Sequence, residues 1–144
     1  MTPITILQSA ADARPDWVSR CMTSVADWSQ RQGYGYHCIG DELFDWVTPE
    51  LRTKLHDRTP ILADLARLRW IESELAAHDG LVVWIDADAF FCNDNIRIEK
   101  FITCDKNFIV QRDPGYSLET FNIDKIKINT GLFICKNTDW SKNF

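Results

Sequence analysis

The chain has 144 residues, of which 45% are apolar, 12% aromatic and 26% charged, and its formal net charge is −5. Six Gly and five Pro exclude a collagen-like or linker-like chain; no apolar run has the length of a membrane-spanning helix, and the opening residues lack the basic region of a secretory signal. Residues 1–94 hold 8 Lys+Arg against 15 Asp+Glu, and residues 95–144 hold 8 against 6, so no basic stripe marks a nucleic-acid binder.

Ile4–Leu7 reads as a first strand, ended by Gln8-Ser9-Ala10-Ala11. Pro15 opens a helix, Val18, Cys21, Met22, Val25 and Trp28 recur along it at helical spacing, and Gly33 stops it. Tyr34–Ile39 reads as a second strand before Gly40-Asp41, and 41–58 as loop with short helical turns. Thr59 as cap and Pro60 as first residue open the next helix. Its Ile61, Leu65, Leu68, Ile71 and Leu75 form one apolar stripe, with Asp64 at the edge, Arg67 further round, and Glu72 inside the arc. Asp79-Gly80 ends this helix.

Leu81–Ile85 is a continuous apolar run, the mark of a central strand covered on both faces. Phe108–Val110 and Ile128–Cys135 read as later strands. The alternation of strand and helix predicts an α/β fold, a mostly parallel sheet flanked by helices. No repeat or linker divides it, so 1–144 reads as a single domain. A chain of this size buries roughly 68–70% of its unfolded surface, enough for a core without disulfides or metal.

Cys21, Cys38, Cys92, Cys104 and Cys135 are odd in number and contain no CxxC, which argues against zinc and against a disulfide framework. They read as buried thiols of a cytoplasmic protein. Trp17, Trp28, Trp46 and Trp70 read as core residues, and His37, His56 and His78 as isolated surface or core residues.

In open α/β sheets ligands bind beyond the carboxyl ends of the strands. At that place stands Asp86-Ala87-Asp88. Two carboxylates at the mouth of a buried strand repel each other, and a hard cation such as Mg²⁺ or Mn²⁺, shared with substrate phosphates, relieves them. Asp-x-Asp alone is common, so its position carries the reading. Asp64 and Arg67 admit two readings. One is a surface ion pair three residues apart; in the other Arg67 meets phosphates or an Asp while Asp64 orients it, with Arg69 as a fallback.

Two stretches resemble glycosyltransferases of the GT-A fold, most of all family 34, the retaining galactosyl-, mannosyl- and xylosyltransferases. VVWIDADAFF at 82–91 is similar to that family's strand and Asp-x-Asp, and INTGLFICKNTDWSKNF at 128–144 to its Asn-x-Gly strand with the following basic residue, Asn and Trp-Ser turn. NFIVQRDPG at 107–115 falls where such proteins have another strand and loop, and residues 1–58 match only as a generic first βαβ unit. The resemblance implies a fold of GT-A type and a nucleotide-diphosphate sugar donor, carrying UDP or GDP. It further implies Mn²⁺ or Mg²⁺ held by Asp86 and Asp88, and transfer of a hexosyl or pentosyl group to a glycan or other hydroxyl.

Carried across residue by residue, it puts Gln8, Ser9 and Ala10 near the nucleobase and ribose, and Asn129 and Gly131 beside the donor sugar or acceptor channel. Asn129-Thr130-Gly131 reads equally as a strand-entry turn. No residue receives a catalytic role. Against the family pattern, 144 residues correspond to the donor-binding half, without the acceptor half or a third metal ligand. Two other readings stand beside transfer: a nucleotide-sugar-binding module without turnover, and an aspartyl-nucleophile phosphatase, whose Asp-x-Asp normally follows the first strand.

Overall fold

The computed structural model describes residues 2–102, 106–112 and 128–138. Five strands, β1 (Ile4–Ser9), β2 (Gly35–Ile39), β3 (Leu81–Ile85), β4 (Phe108–Arg112) and β5 (Ile128–Lys136), form one sheet in the order β2-β1-β3-β5-β4. Helices α1 (Asp16–Gln32), α2 (Pro49–Lys54) and α3 (Thr59–Ala77) lie among the first three strands, with a 3-10 helix over Asp41–Trp46 and another over Ile98–Phe101.

The sheet is less parallel than expected. β1 pairs parallel with β2 and β3, whereas β5 pairs antiparallel with both β3 and β4. Apolar runs disclose that a strand is buried and say nothing of its direction, which the connecting segments decide.

Helix α1 begins after Pro15, which is its N-cap instead of its first residue, and ends where expected. Gly33 adopts φ 76°, and its N–H donates to Gln30 O while that of Tyr34 donates to Ser29 O. A glycine reaches this left-handed cap without a Cβ clash. Tyr34 then packs edge-on against Trp28 at 5.3 Å between ring centroids, fastening the helix end to the core.

Strand β1 runs on to Ser9, so Gln8 is a strand residue and not the start of a loop. Tyr34 precedes β2 instead of opening it. Thr59 is the first residue of α3 and makes no side-chain cap; Arg58 holds the N-cap position.

Helix α3 also presents a different face. Leu62, Ala66, Trp70, Ile71 and Leu75 are buried, while Ile61, Leu65 and Leu68 of the expected stripe are exposed. Leucines occur on several sides, so periodicity does not select the face. The helix is turned by roughly a third of a turn from the stripe, which brings Arg67 inward. Only Ile71 and Leu75 belong to both faces.

The sheet has a core on each side. Toward α3, Leu7, Val82, Trp84, Phe133 and Cys135 pack with Trp70, Ile71 and Leu75. On the other side Ile6, Val83, Ile85 and Ile134 pack with Val25 and Trp28 of α1 and with Ile98. All five residues of β3 are buried, as its uninterrupted apolar run requires. Trp28 and Trp70 are core residues as expected, but Trp17 and Trp46 are exposed. Cys21 and Cys135 are buried free thiols, whereas Cys38 and Cys92 are exposed ones; Cys104 lies outside the described residues. Among the described residues no helix is long and apolar enough to cross a membrane.

Candidate functional site

The carboxyl ends of β1 and β3 and the entry of β5 lie at one edge of the sheet. Asp86 follows β3 directly, and its backbone N–H donates to Gly131 O at 2.7 Å. The antiparallel direction of β5 makes this meeting possible, because Ile85 stands opposite Leu132 and the next pair in register is Asp86 with Gly131. A parallel β5 would have carried Asn129-Thr130-Gly131 to the far end of the sheet.

After β3 the chain turns. The Ala89 N–H donates to Asp86 O at 3.1 Å, so Asp86 to Ala89 form a tight turn with Ala87 and Asp88 at its centre. Asp88 is exposed, and Asp86 and Ala87 are partly so. Two carboxylates are thereby carried on a short turn at the end of a fully buried strand.

Asp86 is tied down at every backbone polar atom and at one carboxylate oxygen. Its Oδ1 accepts from Trp84 Nε1 at 2.7 Å and from Arg67 Nη1 at 3.4 Å. Trp84 lies two residues earlier on the same face of the strand, so the period-two alternation of β3 brings indole and carboxylate together. Among the described residues Oδ2 takes no protein donor.

Arg67 stands between Asp64 and Asp86. Its Nη2 donates to Asp64 Oδ1 at 2.6 Å, and its Nη1 reaches Asp86 and the backbone oxygen of Thr130, each at 3.4 Å. The Arg67 side chain is only 11% exposed, against 63% for Asp64, so the cation is the inward member of the pair. Its guanidinium carbon stands over the Trp84 ring at 5.2 Å from the centroid and over the Phe133 ring at 5.6 Å. Such contacts hold a desolvated cation. Among the described residues, Nε of Arg67 is buried without a hydrogen-bond partner, which an aromatic setting tolerates better than an aliphatic one. Arg69, the fallback, instead pairs with Glu72 on the exposed surface at 2.8 Å.

Gln8 has no access to solvent, and its amide is committed inward: Nε2 donates to Asp86 O at 3.1 Å and Oε1 accepts from Tyr36 OH at 2.9 Å. Both ends of its amide are thus used within the protein. Ser9 and Ala10 follow it at the same sheet edge, both partly exposed, and Ala10 N–H donates to Ile39 O at 3.3 Å. Asn129 stands opposite Gln111 in the β4–β5 ladder.

Sequence reasoning missed Trp84 as a donor, Tyr36 as an anchor and Phe133 as an arginine platform. For Trp84 the signal was its spacing of two from Asp86 on one strand. For Tyr36 and Phe133 no local signal exists, since each reaches the site only through strand pairing.

Among the described residues no cluster of three or more His, Cys, Asp or Glu side chains is placed to hold a metal. Asp86 and Asp88 stand together on the turn that follows β3. A pair of carboxylates suits a hard ion that draws its other ligands from diphosphate and water.

No family model matches this chain, and no curated protein does. Among solved structures it is similar to the "crystal structure of a glycosyltransferase involved in the glycosylation of the major capsid of PBCV-1", with a TM-score of 0.54 and 19% sequence identity. The likeness covers 93% of this chain and 60% of that one, so this chain spans less than two thirds of its neighbour's length. At this identity the likeness is one of fold: a mixed α/β sheet flanked by helices, shared with a glycosyltransferase.

Proposed function

We propose that this chain is the donor-binding part of a glycosyltransferase, taking a nucleotide-diphosphate sugar with Mn²⁺ or Mg²⁺ at Asp86 and Asp88. The observation that carries the reading is the convergence on Asp86 of Arg67, Trp84, Gln8 and Gly131, which come from four separate stretches of sequence. A carboxylate anchored through one oxygen and, among the described residues, without a donor at the other suits a cation, and the fold that the chain shares with a glycosyltransferase supports what that cation would serve.

When bound, the ion would neutralise the diphosphate and favour its departure. The chain's own residues then divide the work. Asp88, exposed on the turn, and Asp86 would hold the ion. Arg67 fixes the Asp86 carboxylate and brings positive charge beside it, and Ser9, Ala10 and Gly131 border the space at the sheet edge. In the transfer, the bond from the sugar's anomeric carbon to the diphosphate oxygen breaks and one to an acceptor hydroxyl oxygen forms. The departing nucleoside diphosphate carries off the bonding electron pair, and its oxygen takes up the hydroxyl proton. The family resemblance supports retention at the anomeric carbon and a glycan acceptor.

Calorimetric titration of the purified chain with UDP- and GDP-sugars, with and without Mn²⁺, tests this. Metal-dependent binding of at least one donor is expected, and its loss is expected when Asp86→Ala is combined with Asp88→Ala. Unchanged binding by a folded double variant sinks the proposal.

A further inference from the structure

Gln8 lies in the middle of a directional chain of hydrogen bonds that no local motif announces. Tyr36 on β2 donates its hydroxyl proton to Gln8 Oε1 at 2.9 Å, and Gln8 on β1 donates from Nε2 to the backbone oxygen of Asp86 at 3.1 Å. The same Asp86 oxygen accepts the Ala89 N–H at 3.1 Å. Both lone pairs of that carbonyl are therefore occupied: one closes the Asp86–Ala89 turn, and the other fastens the turn to the floor of the sheet.

We infer that Gln8 is a positioning residue for the turn bearing Asp86 and Asp88, and that Tyr36 sets the polarity of its amide. An amide has one accepting and one donating end. Turned over, Gln8 would place its oxygen against the Asp86 oxygen, two acceptors without a proton between them. The Tyr36 hydroxyl selects the productive orientation by donating to Oε1. Gln8 is 0% exposed, so in the intact fold its amide depends on these protein partners and not on solvent. A buried amide with one end unpaired carries the full desolvation penalty, which makes the brace all-or-none.

Burial raises the Tyr36 phenol above its ordinary pKa, so it remains a proton donor through the physiological range. Gln8 and Tyr36 come from adjacent parallel strands with Ile6 opposite Tyr36 and Gln8 opposite Cys38, so the contact is a diagonal one across the ladder. The brace thus links the outermost parallel strand to the turn after the central one. Its consequence for a ligand rests on the donor-binding reading; the brace itself does not.

The test uses the whole chain, with Tyr36→Phe, Gln8→Met and the double variant. Tyr36→Phe removes one oxygen and keeps the ring; Gln8→Met keeps length and removes both hydrogen bonds. Hydrogen exchange of the unliganded protein, followed by peptide mass spectrometry, reads the Ala89 amide against those of β3. About tenfold faster exchange over 86–91 is expected in each single variant, with β3 unchanged. The double variant should be no faster than Gln8→Met, because the two residues act in series. UDP binding in the presence of Mn²⁺ should weaken by about the same factor.

Unchanged exchange over 86–91 in Tyr36→Phe overturns the inference. So does an equal rise across the whole sheet, which would mark Gln8 as a packing residue only, or additive effects in the double variant. If the exchange pattern holds while the wild-type chain binds no nucleotide with Mn²⁺, the brace stands and the donor-binding reading falls. If the wild-type chain binds and Tyr36→Phe changes neither readout, the reverse holds.

Discussion

The indole Nε1 of Trp84 donates to Oδ1 of Asp86 over 2.7 Å, so the strand's last aromatic residue holds the carboxylate that immediately follows the strand. Trp84→Phe keeps most of the ring's packing and deletes this donor. The expected cost is about 1 kcal/mol in urea unfolding, small because the Asp86 side chain is 41% exposed and water replaces part of the bond. Metal-dependent nucleotide binding should weaken by a larger factor than the loss of stability implies, since Asp86 loses its fixed orientation. Equal affinity of wild type and Trp84→Phe would show that the indole bond plays no part in the site.

Arg67 is held by charge and by aromatic faces together. Arg67→Lys keeps the charge but abandons the planar stacking on Trp84 and Phe133 and the fork that joins Asp64 to Asp86. Arg67→Lys is expected to bind a nucleotide-sugar with Mn²⁺ at least about tenfold more weakly by calorimetry, the scale of one charge-assisted contact. Arg69→Lys, on the exposed surface, should leave binding unchanged. Comparable losses in the two variants would mean that general positive charge, and not this side chain's placement, matters.

The face that α3 buries is open to a direct check. Leu75 is 2% exposed and Leu68 48% exposed. Leu75→Ala should destabilise the fold by about 3 kcal/mol in a denaturant titration, as cavity-forming substitutions do. Leu68→Ala should stay within about 0.5 kcal/mol. The opposite ranking would restore the stripe that simple periodicity suggests.

Thiol reactivity separates the cysteines. Cys38 and Cys92 are exposed, Cys21 and Cys135 buried, and burial pushes the Cys135 thiol up to about 12. Alkylation of the native chain near pH 8, mapped by mass spectrometry, should label Cys38 and Cys92 before Cys21 and Cys135. Cys21 and Cys135 should react only once the chain unfolds, and early labelling of Cys135 would contradict the packing of β5.

Glu99 gives the fold an acid-sensitive tie. Hydrogen bonding from Arg97 holds its carboxyl down at about 2, with further help from the Tyr34 hydroxyl. A carboxyl whose folded pKa lies below its unfolded one contributes stability above the unfolded pKa and loses it as pH falls through the folded value. The contribution should therefore be complete at neutral pH and fade from about 4.5 toward about 2. Glu99→Gln should show a shallower fall in urea midpoint over that window, and identical slopes would remove Glu99 from the account.

Much of the fold was legible because burial and capping are local signals. Leu81–Ile85 declared a covered strand by being apolar throughout, and Gly33 declared a helix end by being able to take a left-handed conformation. The Asp-x-Asp position was legible for the same reason, since a carboxylate pair at the end of such a strand is costly without a partner. Direction and rotation were not local. The antiparallel run of β5 and the rotation of α3 depend on how connections close and which surfaces pack, and no periodicity records either.

The sequence by itself determined the α/β character, the buried central strand and the placing of Asp86 and Asp88 at its end, all set by hydrophobic patterning along a few consecutive residues. Only the tertiary structure decided what surrounds Asp86. Gly131 reaches it because β5 enters the sheet antiparallel, and Arg67 because α3 turns its polar residue inward onto Trp84 and Phe133. Gln8 reaches it because β1 lies beside β3 with Tyr36 one strand further out. The physical reason is the same each time. These contacts join residues far apart in the chain, and their energies exist only after the sheet has closed.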